Sequence, residues 1–258
     1  MNMRPQACTC LALTAILAIA TSMNAADVTH TESGDAGDVP ATAQVPTGNP
    51  DDNLVSISGT ISADSGPGAS DKDADLYKIH ICDPANFSAS TVGGAAFDTQ
   101  LYLFDENGFA VYGNDDAVNT GGKGGKDAVL TSFLPNPFTN EDGQQLGPLT
   151  AGCYYLGISG FNFDPSDGSG PMFSNAKGPA PFLDVFGPKN NSGALSKWIG
   201  AEGGGVGGPP RHGDYTIFLT GVCLDDCEDD GGPIPEPASL ALLGIGLLIG
   251  AARRRKLA

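Results

Sequence analysis

The stretch Phe97–Asp116, FDTQLYLFDENGFAVYGNDD, decides how the chain is read. Leu101–Phe104 is a short apolar run containing a Tyr and a Phe, the composition of a strand. Asp105-Glu106-Asn107-Gly108 follows as a tight turn. Asn and Asp tolerate the left-handed backbone region, and Gly enters it without a Cβ penalty. Phe109–Tyr112 is the returning strand, and Asn114-Asp115-Asp116 ends it. The unit is a β-hairpin with acidic residues at both ends.

An antiparallel pair brings its open ends together, so Asp98 is expected beside Asp115 and Asp116 on one rim. Carboxylates that close repel unless a proton or a cation intervenes. Calcium, which takes about six to eight oxygen ligands, is the cofactor such a rim would hold. Asp75, Asp105 and Asn107 are further oxygen donors, but Asp105 and Asn107 sit at the opposite, turn end. The order of residues fits no EF-hand. The alternative is an acidic rim that only starts turns, caps strands and solvates.

Outward from the hairpin, Val55, Ile57, Gly59 and Ile61 alternate with Ser56, Ser58 and Thr60, as in a half-buried strand. Asp64–Asp75 reads as a loop. In Leu76–Cys82, Tyr77, Ile79 and Ile81 face one way; Lys78, His80 and Cys82 face the other. His80 is read as a surface residue, because no catalytic partner is in evidence. Phe87–Thr91 and Ala128–Leu134 are further short strands. Cys153–Ser159 is a clear one, with Tyr154, Leu156 and Ile158 on one face. Tyr215–Val222 closes the set, with Tyr215, Ile217 and Leu219 inward. The fold class expected is all-β: a single β-sandwich over residues 54–222.

Phe161–Asp214 is a long Gly-, Pro-, Asn- and Ser-rich loop carrying Phe163, Phe173, Phe182, Phe186 and Trp198. A loop of that length is uncommon unless functional. Two fates stand open for its aromatics, a binding surface or packing onto the sandwich. Two motifs fail their spacing. Gly121–Lys126, GGKGGK, has Thr120 where a phosphate loop needs Gly, and Asp127 where it needs Ser or Thr. Gly157-Ile158-Ser159-Gly160 has Phe161 in place of the last Gly of a nucleophile elbow. No enzyme motif survives, and a non-enzymatic body is expected. A secreted hydrolase is the competing class, and a charged pocket in the body would favour it.

The formal net charge is −17 over 258 residues. Such a surface repels nucleic acid and anionic headgroups and suits divalent cations or plain solvation. Residues 27–53 have few bulky apolar side chains and read as a mobile or loosely docked polar leader, with His30 solvated. Residues 223–234 read as an acidic linker.

Both ends read as sorting segments. Residues 1–26 have Arg4 and an apolar centre, Leu11–Ala20, as in a signal peptide. At the other end, Pro235-Glu236-Pro237 precedes the uncharged apolar run Ala238–Ala252, closed by Arg253-Arg254-Arg255-Lys256. As a helix this run spans about 22 Å, slightly short of a hydrocarbon core of roughly 30 Å. The basic cluster holds its end in the cytoplasm, which leaves the body outside the inner membrane. Export and an even number of mature cysteines (Cys82, Cys153, Cys223 and Cys227) predict two disulfides. Three connectivities are open. The locality of the last two cysteines favours Cys223–Cys227 with Cys82–Cys153.

Residues 235–258, with their triplet, apolar run and basic end in order, resemble the PEP-CTERM sorting signal of Gram-negative bacteria. The resemblance implies processing by exosortase near the triplet after a transient inner-membrane stage. The final location would be the cell surface or an extracellular biofilm or exopolysaccharide matrix. The other outcome is a permanent single-span anchor. The body resembles, more loosely, the bacterial pre-peptidase C-terminal domain. The matching pieces are Asp75–Tyr77, Phe97–Asp105, Asn114–Asp116, Ala151–Ile158 and Gly213–Ile217. That resemblance implies a non-catalytic jelly-roll sandwich, and ligands such as calcium, collagen or polysaccharide.

Overall fold

The hairpin forms where the sequence puts it, and the rest of the sheet grows from its two edges. The structure is a computed structural model that describes residues 25–50, 52–62, 73–117, 131–140, 143–174, 183–200, 211–225 and 227. The expected signal peptide up to residue 24, Gly121–Lys126, most of the expected linker and the whole tail lie outside the described residues.

In chain order the strands are β1 (Asp27–Thr31), β2 (Asn53–Ile61), β3 (Ala74–Ile81), β4 (Ser88–Ser90), β5 (Thr99–Asp105) and β6 (Ala110–Ala117). There follow β7 (Phe133–Leu134), β8 (Phe138–Thr139), β9 (Gln145–Leu146), β10 (Gly152–Gly160) and β11 (Phe163–Ser166). The last are β12 (Leu183–Phe186), β13 (Lys197–Gly200), β14 (Gly213–Thr220) and β15 (Val222–Cys223). A short 3-10 turn, Pro84–Asn86, is the helical element among the described residues.

β5 and β6 pair antiparallel, with Leu101 opposite Asn114 and Leu103 opposite Tyr112. Their turn is held by Asp105, whose Oδ1 accepts the N–H groups of Asn107 and Phe109, each at 2.9 Å. Gly108 there has φ 81°, a value that favours glycine. The main sheet runs β12-β6-β5-β10-β3-β15-β2-β14-β4-β7, with β1 added parallel to β2. Its ends return to one another. Phe133 N–H on β7 donates to Asn114 Oδ1 on β6 at 2.7 Å, and Ser132 Oγ donates to the Asp115 carbonyl at 2.7 Å. The protein is therefore all-β, with one large, mainly antiparallel and nearly closed sheet.

The inside of this curl is the principal core. Leu54, Ile57, Tyr77, Ile79, Ile81, Leu101, Leu103, Leu156, Ile158, Tyr215 and Ile217 meet there. A second core lies on the other face of the sheet. Leu76, Tyr102, Phe104 and Tyr155 are covered by Phe163, Met172, Phe173, Phe186, Leu195 and Trp198. The covering residues come from the segment expected as a long loop. It carries three strands: β11 pairs with β13, and β12 extends the main sheet beside β6. Tyr102 stands at the middle of this layer, with ring centroids 5.1 Å from Phe173 and 5.5 Å from Trp198. The aromatics pack inward here. Phe182 lies outside the described residues.

Of the two expectations for the leader, mobile or loosely docked, the structure shows docking. β1 pairs with β2 from Asp27 opposite Asn53 to Thr31 opposite Ser58. Ala36 is buried, and Gln44 exchanges backbone hydrogen bonds with Leu76 and Lys78. His30 is held too: its Nε2 lies 2.7 Å from Gln44 Oε1.

Two disulfides are present, with a pairing that corrects the one favoured by locality. Cys82 is bonded to Cys223 and Cys153 to Cys227. The cause is the strand order. β3 lies between β10 and β15, with Cys153 and Cys223 both registered on His80 from opposite sides. Cys82, whose N–H donates to Gly221 O, meets the β15 side, and Cys153 is left for Cys227.

Candidate functional site

Two clusters of carboxylates stand out among the described residues. The first is built where the leader meets the sheet. Glu32, Asp35 and Asp75 each bring an oxygen within 4.8 Å of the others, and Asp35, Asp38 and Asp73 do the same. Glu32 follows β1, and its two oxygens accept the N–H groups of Ala36 at 3.0 Å and Thr60 at 2.8 Å. It thereby staples the leader to β2. Asp75 lies on β3 and is only 1% exposed. Its Oδ2 accepts the Tyr215 hydroxyl at 2.6 Å, and the hydroxyls of Tyr215 and Tyr77 share a hydrogen bond of 2.6 Å. Its Oδ1 is buried and has no hydrogen-bond partner.

Gly59 on β2 makes room for this cluster. A methyl group there would overlap the Tyr215 hydroxyl and the Glu32 carboxylate. A cleft of about 520 Å³ opens beside it, lined by Glu32, Asp35 and Asp73 and by hydroxyl residues including Ser58, Thr60 and Thr216. Burial pushes the Asp75 carboxyl up to about 8, and the charges of Glu32, Asp73 and Asp35 push the same way against the Tyr215 hydrogen bond. Burial also raises Glu32, Asp38 and Asp73 above the usual carboxylate range. Buried carboxylates without donors are costly, and a bound cation relieves that cost. The orphaned Asp75 oxygen makes the residues present a fit for an oxygen-seeking divalent ion.

The second cluster is the rim of the central hairpin. Asp98, Asp115 and Asp116 each bring one oxygen within 4.8 Å of the others. Asp98 is 3% exposed, and the other two are half-buried. Burial first, then the Asp116 charge, raises Asp98 to about 7, while the Arg211 guanidinium pulls it down. Asp105 and Asn107 are occupied with the hairpin turn and take no part in either cluster. Asp75 belongs to the first cluster.

Other residues singled out in the sequence have structural partners. Ser159 is fully buried, and its Oγ donates to the Phe163 carbonyl at 2.8 Å, so it is no exposed nucleophile. His80 Nδ1 lies 3.5 Å from Asp225 Oδ2 and 3.4 Å from Cys223 Sγ. The sequence reading missed Glu32, Asp35, Asp38 and Asp73. A usable signal existed in the three-residue spacing of Glu32, Asp35 and Asp38, and in Asp73 and Asp75, two residues apart where β3 begins.

The tail matches a known family model. Its residues 233–256 match that model throughout. They are a PEP-CTERM protein-sorting motif. Pro235, Glu236, Pro237 and the Arg253-Arg254-Arg255 cluster all fall within the match. The PEP-CTERM motif implies an exported protein with exosortase as its processing partner, and the two disulfides agree with export. No curated protein matches the chain.

Proposed function

We propose that this is an exported, non-enzymatic protein of the cell surface or of a biofilm and exopolysaccharide matrix. The body works as an adhesion or binding module. The observation that carries the reading is the sorting motif at residues 233–256. In this reading residues 1–26 are a signal peptide. The tail lodges in the inner membrane as a hydrophobic helix until exosortase cuts near Pro235–Pro237. The nearly closed sheet is a jelly-roll sandwich of pre-peptidase C-terminal type.

Calcium is the cofactor, held by Glu32, Asp35 and Asp75. The cleft beside them has carboxylate and hydroxyl walls. Such walls suit a polysaccharide whose hydroxyls complete the coordination of a bound cation. The aromatic residues of the long segment face the second core, so the cleft replaces that segment as the place of binding.

The acidic cleft also favours a secreted hydrolase. Retaining glycosidases place two carboxyl groups about 5–5.5 Å apart, and inverting ones about 6.5–9.5 Å. Here three carboxylate oxygens lie within 4.8 Å of one another. Two of the three, Glu32 and Asp75, are already held by structural hydrogen bonds, which suits a shared cation better than a divided acid and base.

Intact mass of the protein purified from its host surface is the test. The expected C-terminus lies near Pro235–Pro237, with Arg253–Lys256 lost. A mass that keeps the basic end overturns processing and leaves a single-span anchored protein. Changing Pro235 and Pro237 to Ala should hold the protein in the inner membrane. Host polysaccharide should be retained in calcium and released by chelator. Cleavage of that polysaccharide would make the body a hydrolase.

A further inference from the structure

We infer that Asp98, Asp115 and Asp116 form a second calcium site, separate from the leader cleft, that pins the open end of the central hairpin. Asp98 immediately precedes β5, and Asp115 and Asp116 lie near the end of β6. Antiparallel pairing of the two strands, with Leu101 opposite Asn114, carries these residues to one end of the hairpin. One oxygen from each carboxylate lies within 4.8 Å of the others.

The independent observation is the state of Asp98. Its side chain is 3% exposed, and its Oδ1 is sealed from solvent without a hydrogen-bond partner. A carboxylate oxygen taken out of water needs a donor or a cation. Asp98 is also fixed in place by its own backbone, whose carbonyl accepts the Phe161 N–H at 3.0 Å. That bond fixes the Asp98 backbone where the start of β5 meets the end of β10.

The spacing admits calcium. Two oxygens bound to calcium at about 2.3–2.6 Å can stand at most about 4.6–5.2 Å apart. Calcium also tolerates the irregular geometry of strand ends, whereas magnesium demands an octahedron. The Arg211 guanidinium acts on Asp98 from the β14 side and stacks over the Phe161 ring at 5.0 Å. It offsets part of the negative charge. A divalent ion offsets more, and ligates.

The site's role follows from its neighbours. Ser132 Oγ donates to the Asp115 carbonyl, and Ser132 also bonds to Thr91 and Thr99 in a buried hydroxyl network. This is where the sheet closes. An ion here would hold β5 and β6 to the returning β7 edge.

The two sites separate by variant. Calcium binding to the full mature protein is measured by titration calorimetry after chelator treatment. Wild type should take up two ions. Asp75→Asn should keep one ion, and adding Asp98→Asn to it should abolish binding. Asp116→Asn, at a half-buried position, gives the same readout should Asp98→Asn fail to fold. If Asp75→Asn retains no ion, or if the retained ion survives both Asp98→Asn and Asp116→Asn, the hairpin site is overturned while the leader cleft stands. If wild type takes up one ion and Asp98→Asn removes it, the hairpin site stands and the cleft falls. Thermal midpoints of Asp75→Asn in millimolar calcium and magnesium complete the test. A rise with calcium alone supports the site, and equal rises overturn it.

Discussion

The Trp198 indole N–H donates to the Asp38 carbonyl at 2.6 Å, joining residues 160 positions apart. Asp38 belongs to the polar leader and Trp198 to β13, so two segments that read as loose hold one another. Trp198 is 7% exposed and packs against Tyr102, Phe104 and Phe163. Trp198→Phe keeps most of the packing and leaves the Asp38 carbonyl without this donor, at a cost of about 1–3 kcal/mol. Trp198→Ala also opens a cavity and should cost about 3–5 kcal/mol. Urea unfolding of both variants measures the difference. A Trp198→Phe protein as stable as wild type would mean that the hydrogen bond contributes nothing.

Peptide mapping without reductant should recover Cys82 joined to Cys223 and Cys153 joined to Cys227, with no free thiol. The bonds close separations of 141 and 74 residues. Chain-entropy arguments give about 4–5 kcal/mol for loops of such length. Reduction should therefore lower the urea midpoint strongly. Recovery of Cys223 joined to Cys227 would refute the strand order around β3.

The central hairpin was legible because its signals are local: an apolar run, an Asp-Glu-Asn-Gly turn and a second run. The convergence of Asp98, Asp115 and Asp116 followed from antiparallel pairing alone. The disulfide pairing was not legible, since it depends on β15 entering between β3 and β2, a choice made by distant residues. The strand in the leader was not legible for another reason. DVTHT in β1 turns only the half-buried Val28 to the core as an apolar side chain, and its strand forms by parallel addition to β2 and side-chain staples such as Glu32. Composition is blind to both. The aromatics of residues 161–214 were visible, but their direction was set by Tyr102 and Phe104 on the outer face of the sheet.

Asp164 on β11 gives a pH dependence. Burial raises its carboxyl above the usual value of 3.8, against hydrogen bonds from Tyr102 and Gln100. A carboxyl raised on folding binds its proton more tightly in the native state. Its contribution is fully present below pH 3.8 and is lost as pH rises through the native value. Asp164→Asn cannot titrate and keeps an oxygen for the Tyr102 hydroxyl. The variant's stability relative to wild type should therefore grow as pH rises above 3.8. Parallel stability curves for the two proteins would show that Asp164 is not linked to folding.

Gly59 tests the geometry of the leader cleft. Its φ is not in the left-handed region, so alanine fits the backbone of β2 and the penalty is steric. The added methyl group would meet the Tyr215 hydroxyl and the Glu32 carboxylate together. Tyr215 cannot retreat without releasing Asp75 and Tyr77, its two hydrogen-bond partners. Glu32 can retreat, but only by giving up the N–H groups of Ala36 and Thr60. The weaker attachment should yield, which is the leader. Gly59→Ala should cost about 1–3 kcal/mol, the usual range for overpacking. It should also open residues 27–50 to protease while the hairpin stays resistant. Gly170→Ala is the control, because a methyl group there meets nothing within 4 Å and its φ is ordinary. Its effect should stay within about 0.5 kcal/mol. If Gly59→Ala and Gly170→Ala are cleaved alike, the leader does not depend on the contact between Glu32 and the Tyr215 side of the cleft.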